Sequence, residues 1–235
     1  MGSPKTFLVC HGAWSAGWAW KKMHPLMQKA GHRLLAPSYT GLGERAHLAQ
    51  PSIDLETHIT DMLEVIRYED LRDVTLIGHS YGGMVATGVV DRARDKVRQL
   101  IYIDAFVPAD GQSLFDLNEV GRARMQELAR SGDGWRVPPN PTSPDTSPED
   151  VAWLNERRVH MPIKCFEQKL KLSAPLTLPR CYIYATRITP ADTFGPFARM
   201  TKDDQGWRYF EIDASHSPNV TAPDALMALL DKIVA

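Results

Sequence analysis

The sequence of 235 residues predicts an α/β fold with a mostly parallel central sheet and helices on both of its faces. Short apolar runs that read as buried strands alternate with segments of helical periodicity, which is typical of a parallel sheet covered on both sides. Hydrophobic residues make up 43% of the chain. A chain of this length and composition can bury one large core, so we expect a single domain with an insertion.

The first 107 residues alternate strands and helices. The first apolar run ends in a turn, and the amphipathic pattern after it stops at Gly31, which suits the C′ position of a helix. Pro37 ends the second apolar run, because proline cannot continue a central strand. In chain order we predict a strand over residues 6–10, a helix over 18–29, a strand over 33–36, a loop over 40–45, a helix over 55–68, a strand over 74–77, a helix ending near 94 and a strand over 100–104.

The regular alternation breaks between residues 108 and 175. Residues 136–148 contain five prolines and can form neither a helix nor a central strand. Helical patterns flank them, at 114–129 and at 148–157, where Ser147 is a suitable N-cap. We predict a small helical lid over residues 108–175, and a core made of residues 1–107 and 176–235. The core resumes with a strand over 180–185, a helix over 192–200, a strand over 209–213 and a helix over 222–234.

Charge and cysteine content exclude several classes of partner. The net charge is −1 and no block of five like charges occurs, so we expect no nucleic acid and no membrane surface as a partner. Cys10, Cys165 and Cys181 are too widely spaced for a zinc site, and we expect no metal and no other cofactor. The first apolar stretch is too short for a signal peptide, which indicates a cytoplasmic protein. A small molecule is the expected partner, and a homodimer is compatible with the sequence.

The most informative motif is the pattern Gly-x-Ser-x-Gly centred on Ser80. It follows the apolar run at residues 74–77 directly and precedes an apolar helical segment. This is the setting of a nucleophile elbow, where the serine occupies a strained turn between strand and helix. Side chains at Gly78 and Gly82 would collide with neighbouring backbone in such a turn. The motif predicts Ser80 as a catalytic nucleophile.

A serine nucleophile needs a general base, and a third group must orient that base. His216 follows the last predicted strand and is our candidate base, because this fold places the histidine after the acid in the chain. Two aspartates preserve that order. Asp104 ends an apolar strand, where a charge is tolerated only if it is paired, and we favour it; Asp192, which also suits an N-cap, is the alternative. Asp213 is a third possibility, with a structural role the simpler expectation.

Two backbone N–H groups should stabilise the oxyanion of an acyl-transfer reaction. One belongs to Tyr81, directly after the nucleophile. We place the second at Ala13 in the turn after the first strand, with Trp14 as the substitute donor. Aromatic candidates for a substrate pocket lie in the same turn, after the strand that ends at Asp104, and in the predicted lid. They are Trp14, Phe106, Phe115, Trp153, His160 and Phe166.

Four segments together resemble the α/β-hydrolase superfamily. They are His-Gly-Ala-Trp at 11–14, Gly-Leu-Gly-Glu-Arg at 41–45, Gly-His-Ser-Tyr-Gly-Gly at 78–83, and the late His216. Within that superfamily the chain resembles the small plant methyl-ester esterases and hydroxynitrile lyases, in a bacterial-type branch. The resemblance covers nearly the whole chain. It implies the α/β-hydrolase fold, Ser80 and His216 as triad members, and an oxyanion hole formed by Ala13 and Tyr81.

The chain departs from those relatives at two positions. Their acid follows the penultimate strand, where this chain has Thr189 or its neighbours, so the resemblance leaves Asp104 as a relocated acid. The hydroxynitrile lyases have a lysine directly after the catalytic histidine, whereas this chain has Ser217, and we expect no cyanohydrin cleavage.

These observations predict a serine hydrolase that cleaves a small, uncharged carboxylic ester through an acyl-enzyme intermediate. A lactonase or amidase with the same triad is the first alternative. A non-hydrolytic relative that binds a small ligand is the second, although a binding protein would not need both Ser80 and His216.

Overall fold

The computed structural model describes residues 4–188 and 191–235. Its centre is a six-stranded sheet made of β1 (Thr6–Cys10), β2 (Arg33–Leu35), β3 (Val74–His79), β4 (Val97–Ile103), β7 (Arg180–Ala185) and β8 (Trp207–Ile212). The strands lie in the order β2-β1-β3-β4-β7-β8, and every neighbouring pair is parallel. The predicted parallel sheet is confirmed.

Helices cover both faces of the sheet and also occur in the segment between β4 and β7. The helices are α1 (Met23–Lys29), α2 (Leu55–Tyr68), α3 (Gly82–Arg92), α4 (Leu114–Leu117), α5 (Glu119–Ser131), α6 (Pro148–Asn155), α7 (Lys164–Glu167), α8 (Gly195–Asp203), α9 (Pro218–Thr221) and α10 (Pro223–Val234). None of the helices in the described ranges combines the length and apolar character that a membrane-spanning segment requires.

The alternation of side chains along β1 shows how the two faces are filled. Leu8 and Cys10 belong to one buried cluster, together with apolar residues of α2 and α3. Phe7 and Val9 belong to a second cluster, which includes apolar residues of α1 and α10. Because successive strand residues point to opposite faces, a continuous apolar run fills both layers at once. This accounts for the unbroken apolar strands in the sequence.

The register of β3 and β4 places two polar residues side by side. His79 is the register partner of Ile103, so Ser80 and Asp104 are the first residues beyond equivalent ends of adjacent strands. Both adopt left-handed backbone conformations, with φ of +56° for Ser80 and +43° for Asp104. The segments that follow β3 and β4 therefore leave the sheet at the same edge, and each begins with a residue in a left-handed conformation.

The segment between β4 and β7 packs on the core through buried aromatic and aliphatic side chains, among them Phe115 and Phe166. It contains a short antiparallel pair, β5 (Arg136–Val137) and β6 (Met161–Pro162), which is separate from the central sheet. Ser147 caps α6 as predicted, since its hydroxyl accepts a hydrogen bond from the Asp150 N–H at 3.1 Å. We call residues 108–175 the insertion.

Several predicted elements differ in detail, and the helix predicted over 192–200, for example, begins at Gly195 and ends at Asp203. The helix predicted over 18–29 is split into a 3₁₀ turn, Gly17–Trp20, and α1. The predicted loop at 40–45 runs into a further 3₁₀ turn, Gly43–Leu48. The helix predicted over 114–129 is interrupted at Asn118, whose side chain accepts a hydrogen bond from the Gly121 N–H and starts α5 afresh.

Candidate active site

Ser80 occupies a sharp turn between β3 and α3. A Cβ atom at Gly82 would lie 1.9 Å from the Cys10 carbonyl oxygen, and one at Gly83 would lie 2.1 Å from the Phe106 carbonyl oxygen. Only glycine allows the start of α3 to approach the neighbouring chain so closely. The Ser80 carbonyl accepts hydrogen bonds from the N–H groups of Gly83 and Phe106. The left-handed serine is thus held rigidly at the strand end.

His216 joins Ser80 to Asp104. Its Nε2 lies 2.9 Å from the Ser80 Oγ, and its Nδ1 lies 2.7 Å from the Asp104 Oδ2. Asp104 is only 4% exposed, and its other carboxylate oxygen accepts a hydrogen bond from the Ala185 N–H at 3.3 Å. These distances form an unbroken hydrogen-bonded chain from a serine hydroxyl to a buried carboxylate. Such a chain can accept a proton from the serine and stabilise the resulting imidazolium.

The other two candidate acids, Asp192 and Asp213, form hydrogen bonds with residues other than His216. Asp192 accepts hydrogen bonds from the Tyr184 hydroxyl at 2.9 Å and from the Gly195 N–H at 2.6 Å, so it holds the start of α8. Asp213 accepts two hydrogen bonds from the exposed guanidinium of Arg187. Thr189, at the position of the acid in the plant relatives, lies outside the described residues.

Two further aromatic rings hold the His216 imidazole in place. Phe194 stacks on it with parallel planes, 6° apart, and a centroid distance of 4.8 Å. The His79 ring packs at 4.9 Å from the His216 ring, and its Nε2–H donates a hydrogen bond of 2.7 Å to the His216 carbonyl oxygen. Burial lowers the pKa of His79 to about 3, so its ring is a neutral donor. No sequence pattern pointed to Phe194.

The loop after β1 lies against Ser80. A Cβ atom at Gly12 would be 3.2 Å from the Ser80 Cβ, which leaves space for little more than a glycine. In the part of the chain that the structure describes, the backbone N–H groups of Ala13 and Tyr81 donate no hydrogen bond. Unpaired donors beside a serine hydroxyl are the feature that an oxyanion hole requires.

The Tyr81 side chain is anchored below the elbow. Its hydroxyl lies 3.0 Å from the His58 Nδ1, while the His58 Nε2 donates to the Thr40 carbonyl oxygen at 3.2 Å. Burial lowers the pKa of His58 to about 4, and the ring is neutral. Burial also raises the pKa of the Tyr81 phenol well above its usual value. A neutral network therefore fixes the residue whose N–H follows the nucleophile.

Four of the predicted pocket residues are buried near the site. Trp14 and Phe115 both pack against Phe166, and Phe166 in turn contacts the Tyr81 ring. Phe106 packs against Phe194, the ring that stacks on His216. An aromatic environment therefore adjoins the serine and the histidine.

Two predicted pocket residues lie elsewhere. Trp153 packs edge-on against Trp18 at 5.1 Å. The buried residue of α6 is its neighbour Leu154. His160 is exposed, whereas its neighbour Met161 is buried in β6 and Val159 packs on the core. In an extended segment alternate residues face opposite sides, so His160 is directed to solvent.

The buried histidines predict that the protein loses stability in mild acid. Desolvation lowers the pKa of His11 and His79 to about 3 and that of His58 to about 4. Below about pH 6.5 the unfolded chain therefore binds protons that the folded chain does not bind, so stability falls as the pH falls. Each histidine that is protonated only in the unfolded chain lowers the free energy of unfolding by about 1.4 kcal/mol for each further unit by which the pH falls.

Urea unfolding at pH 8, 7, 6 and 5 measures this effect. We expect similar midpoints at pH 8 and 7 and a progressive fall from pH 6 to pH 5, a range above the normal titration of carboxylates. Equal midpoints from pH 7 to pH 5 would mean that these rings take up protons without unfolding.

Comparisons with known proteins agree with this fold. The model of the alpha/beta hydrolase family matches residues 7–229. A carbendazim hydrolyzing esterase from Nocardioides sp. (strain SG-4G) is 37% identical over 234 residues, which cover 94% of this chain and 96% of that protein. Salicylic acid-binding protein 2 from Nicotiana tabacum is 31% identical over 112 residues, covering 46% of this chain and 42% of its own length.

The fold is shared with solved structures. An extracellular α/β-hydrolase from a Paenibacillus species, which shares structural and functional homology with tobacco salicylic acid binding protein 2, superposes with a TM-score of 0.86. That likeness covers 97% of this chain and 98% of the other, at 24% identity. The extent of the family match, together with the near full-length relative, shows that this chain belongs to the alpha/beta hydrolase family.

Proposed function

We propose that this protein is a serine esterase that cleaves small, uncharged carboxylic esters through an acyl-enzyme intermediate. The observation that carries the proposal is the hydrogen-bonded chain from the Ser80 hydroxyl through His216 to the buried Asp104 carboxylate. The esterase named among the relatives and the family match support the same reaction class.

In the proposed reaction, Ser80 attacks the ester carbonyl while the His216 Nε2 removes its hydroxyl proton. The His216 Nδ1–H donates to Asp104, which keeps the imidazole in the tautomer that leaves Nε2 free to accept. The Ala13 and Tyr81 N–H groups stabilise the negative oxygen of the tetrahedral intermediate. His216 then protonates the leaving alcohol, and water attacks the acyl-enzyme by the same route in reverse.

The surroundings of the site favour this assignment of roles. Asp104 is buried and pairs with the His216 ring, so its negative charge is offset as the imidazolium forms. Phe194, which stacks on the ring, and His79, whose ring packs at 4.9 Å from it, limit its rotation. A base that is already oriented towards the serine loses little freedom in the transition state.

The aromatic residues beside the site suggest the substrate class. The rings of Trp14, Phe115, Phe166 and Tyr81 form a buried apolar cluster next to the elbow, and the partly exposed ring of Phe194 provides apolar surface beside His216. Such surfaces suit a moderately hydrophobic, uncharged ester. The name of the Nocardioides relative makes carbendazim a specific substrate to include in the test.

The test is the hydrolysis of p-nitrophenyl acetate and butyrate, with carbendazim, an aryl lactone and p-nitroacetanilide assayed in parallel. We expect saturable turnover of the two esters and slower or no turnover of the anilide. Preference for the lactone or the anilide would favour the lactonase or amidase alternatives. A folded protein that turns over none of these compounds would contradict the proposal.

A further inference from the structure

We propose that Trp14 is a positioning residue that couples the insertion to the oxyanion hole. Trp14 directly follows Ala13, which the proposed function assigns as an oxyanion donor, and the inference rests on that assignment. Its indole N–H, its carbonyl oxygen and its ring each contact a different part of the insertion. The insertion thereby holds the end of the loop that carries the Ala13 N–H.

The backbone of Trp14 is strained. Its φ is +59°, a left-handed conformation that is uncommon for bulky residues. A non-glycine residue keeps this conformation only when the surrounding structure compels it. The tryptophan is 7% exposed, so those surroundings enclose it almost completely.

The contacts that compel it come from the insertion. The Trp14 Nε1–H donates a buried hydrogen bond of 2.9 Å to the Val137 carbonyl oxygen, in β5. The Trp14 carbonyl oxygen accepts a hydrogen bond of 3.3 Å from the Val159 N–H, just before β6. The Trp14 ring packs on Phe166 of α7 at 5.8 Å. Three separate parts of the insertion thus contact one residue of the core.

The other half of the loop is held by the core. The Tyr39 hydroxyl donates to the His11 carbonyl oxygen at 3.3 Å, and Gly12 lies against Ser80. Ala13 lies between the half held by the core and the half held by the insertion. Because hydrogen bonds to an oxyanion depend steeply on distance, a small displacement of the loop would weaken transition-state stabilisation more than substrate binding.

The test is Trp14→Phe, which keeps an aromatic ring but removes the bond to Val137. The matched control is Trp18→Phe. Trp18 also contacts the insertion, through Trp153, but its indole N–H has no hydrogen-bond partner among the described residues. The readouts are kcat and KM for p-nitrophenyl acetate, and inhibition by an aryl trifluoromethyl ketone, which forms a tetrahedral adduct with a serine. Thermal unfolding of each variant measures the folded fraction.

For Trp14→Phe we expect kcat to fall about 10- to 100-fold with KM within about twofold. Inhibition by the ketone should weaken by a similar factor, while binding of an unreactive amide of the same shape is unchanged. Trp18→Phe should behave as wild type. A kcat unchanged in the folded Trp14→Phe variant, or a loss confined to KM, would overturn the inference. If wild type shows no turnover that depends on Ser80, the proposed function fails first, which is a distinct outcome.

Discussion

Replacing Ser80 with alanine is expected to lower kcat for p-nitrophenyl acetate by at least about 10⁴-fold. The hydroxyl is the only group of this residue that reaches the His216 Nε2, at 2.9 Å. Alanine removes the nucleophile and leaves the base and the unpaired N–H groups of the loop and the elbow. Residual hydrolysis would come from water attacking the bound ester directly, without an acyl-enzyme.

The control for this variant is Ser131→Ala. Ser131 is exposed at the end of α5, where its hydroxyl bonds to the Glu127 carbonyl oxygen. This variant should retain wild-type kcat and KM. Steady-state kinetics at matched folded concentration measures both variants. A Ser80→Ala variant that keeps more than about a tenth of the wild-type kcat would contradict the assignment of the nucleophile.

Replacing Asp104 with asparagine is expected to lower kcat by about 10⁴-fold. An asparagine amide presents a donor as well as an acceptor to the His216 Nδ1, so the imidazole can settle in the tautomer that does not accept the Ser80 proton. Asparagine tolerates left-handed backbone well, and it can therefore keep the φ of +43° found at Asp104. The loss should appear in kcat without loss of the fold.

The comparison with Asp192→Asn distinguishes the two candidate acids. Asp192 is hydrogen-bonded to Tyr184 and to the start of α8, and its contacts do not include His216. Asp192→Asn should keep kcat within about threefold of wild type, because the contacts that change are those to Tyr184, Arg199 and the start of α8 and not one to His216. A large loss for Asp192→Asn together with an active Asp104→Asn would move the acid to the segment after β7.

Much of this arrangement follows from sequence patterns alone. The elbow motif locates a serine at the end of a strand. Asp104 is a charged residue at the end of an apolar run, so it needs a partner. Because parallel strands end at one edge of a sheet, residues that follow β3, β4 and β8 meet although His216 lies 136 positions after Ser80. Strand order and strand burial therefore favour the meeting of Ser80, His216 and Asp104, although Asp192 also fits the order of the triad along the chain.

Other contacts leave no signal in the sequence. Phe194 lies in an irregular segment before α8, so no periodicity predicts that its ring will stack on His216. The bond from Trp14 to Val137 spans 123 positions and joins the first loop to a short strand within a proline-rich segment. Contacts of this kind depend on the paths of irregular segments, which local propensities do not determine. The same reason explains why Trp153 and His160 were assigned to the pocket but lie elsewhere.

The most direct test of the central claim is the peptide map of the protein after reaction with an alkyl p-nitrophenyl phosphonate. The reagent transfers its phosphonyl group to an activated serine and releases p-nitrophenolate. We predict one equivalent of p-nitrophenolate, loss of ester hydrolysis, and the phosphonyl group on the peptide that contains Ser80. A label on another residue, or full ester hydrolysis with no label at Ser80, would contradict the account.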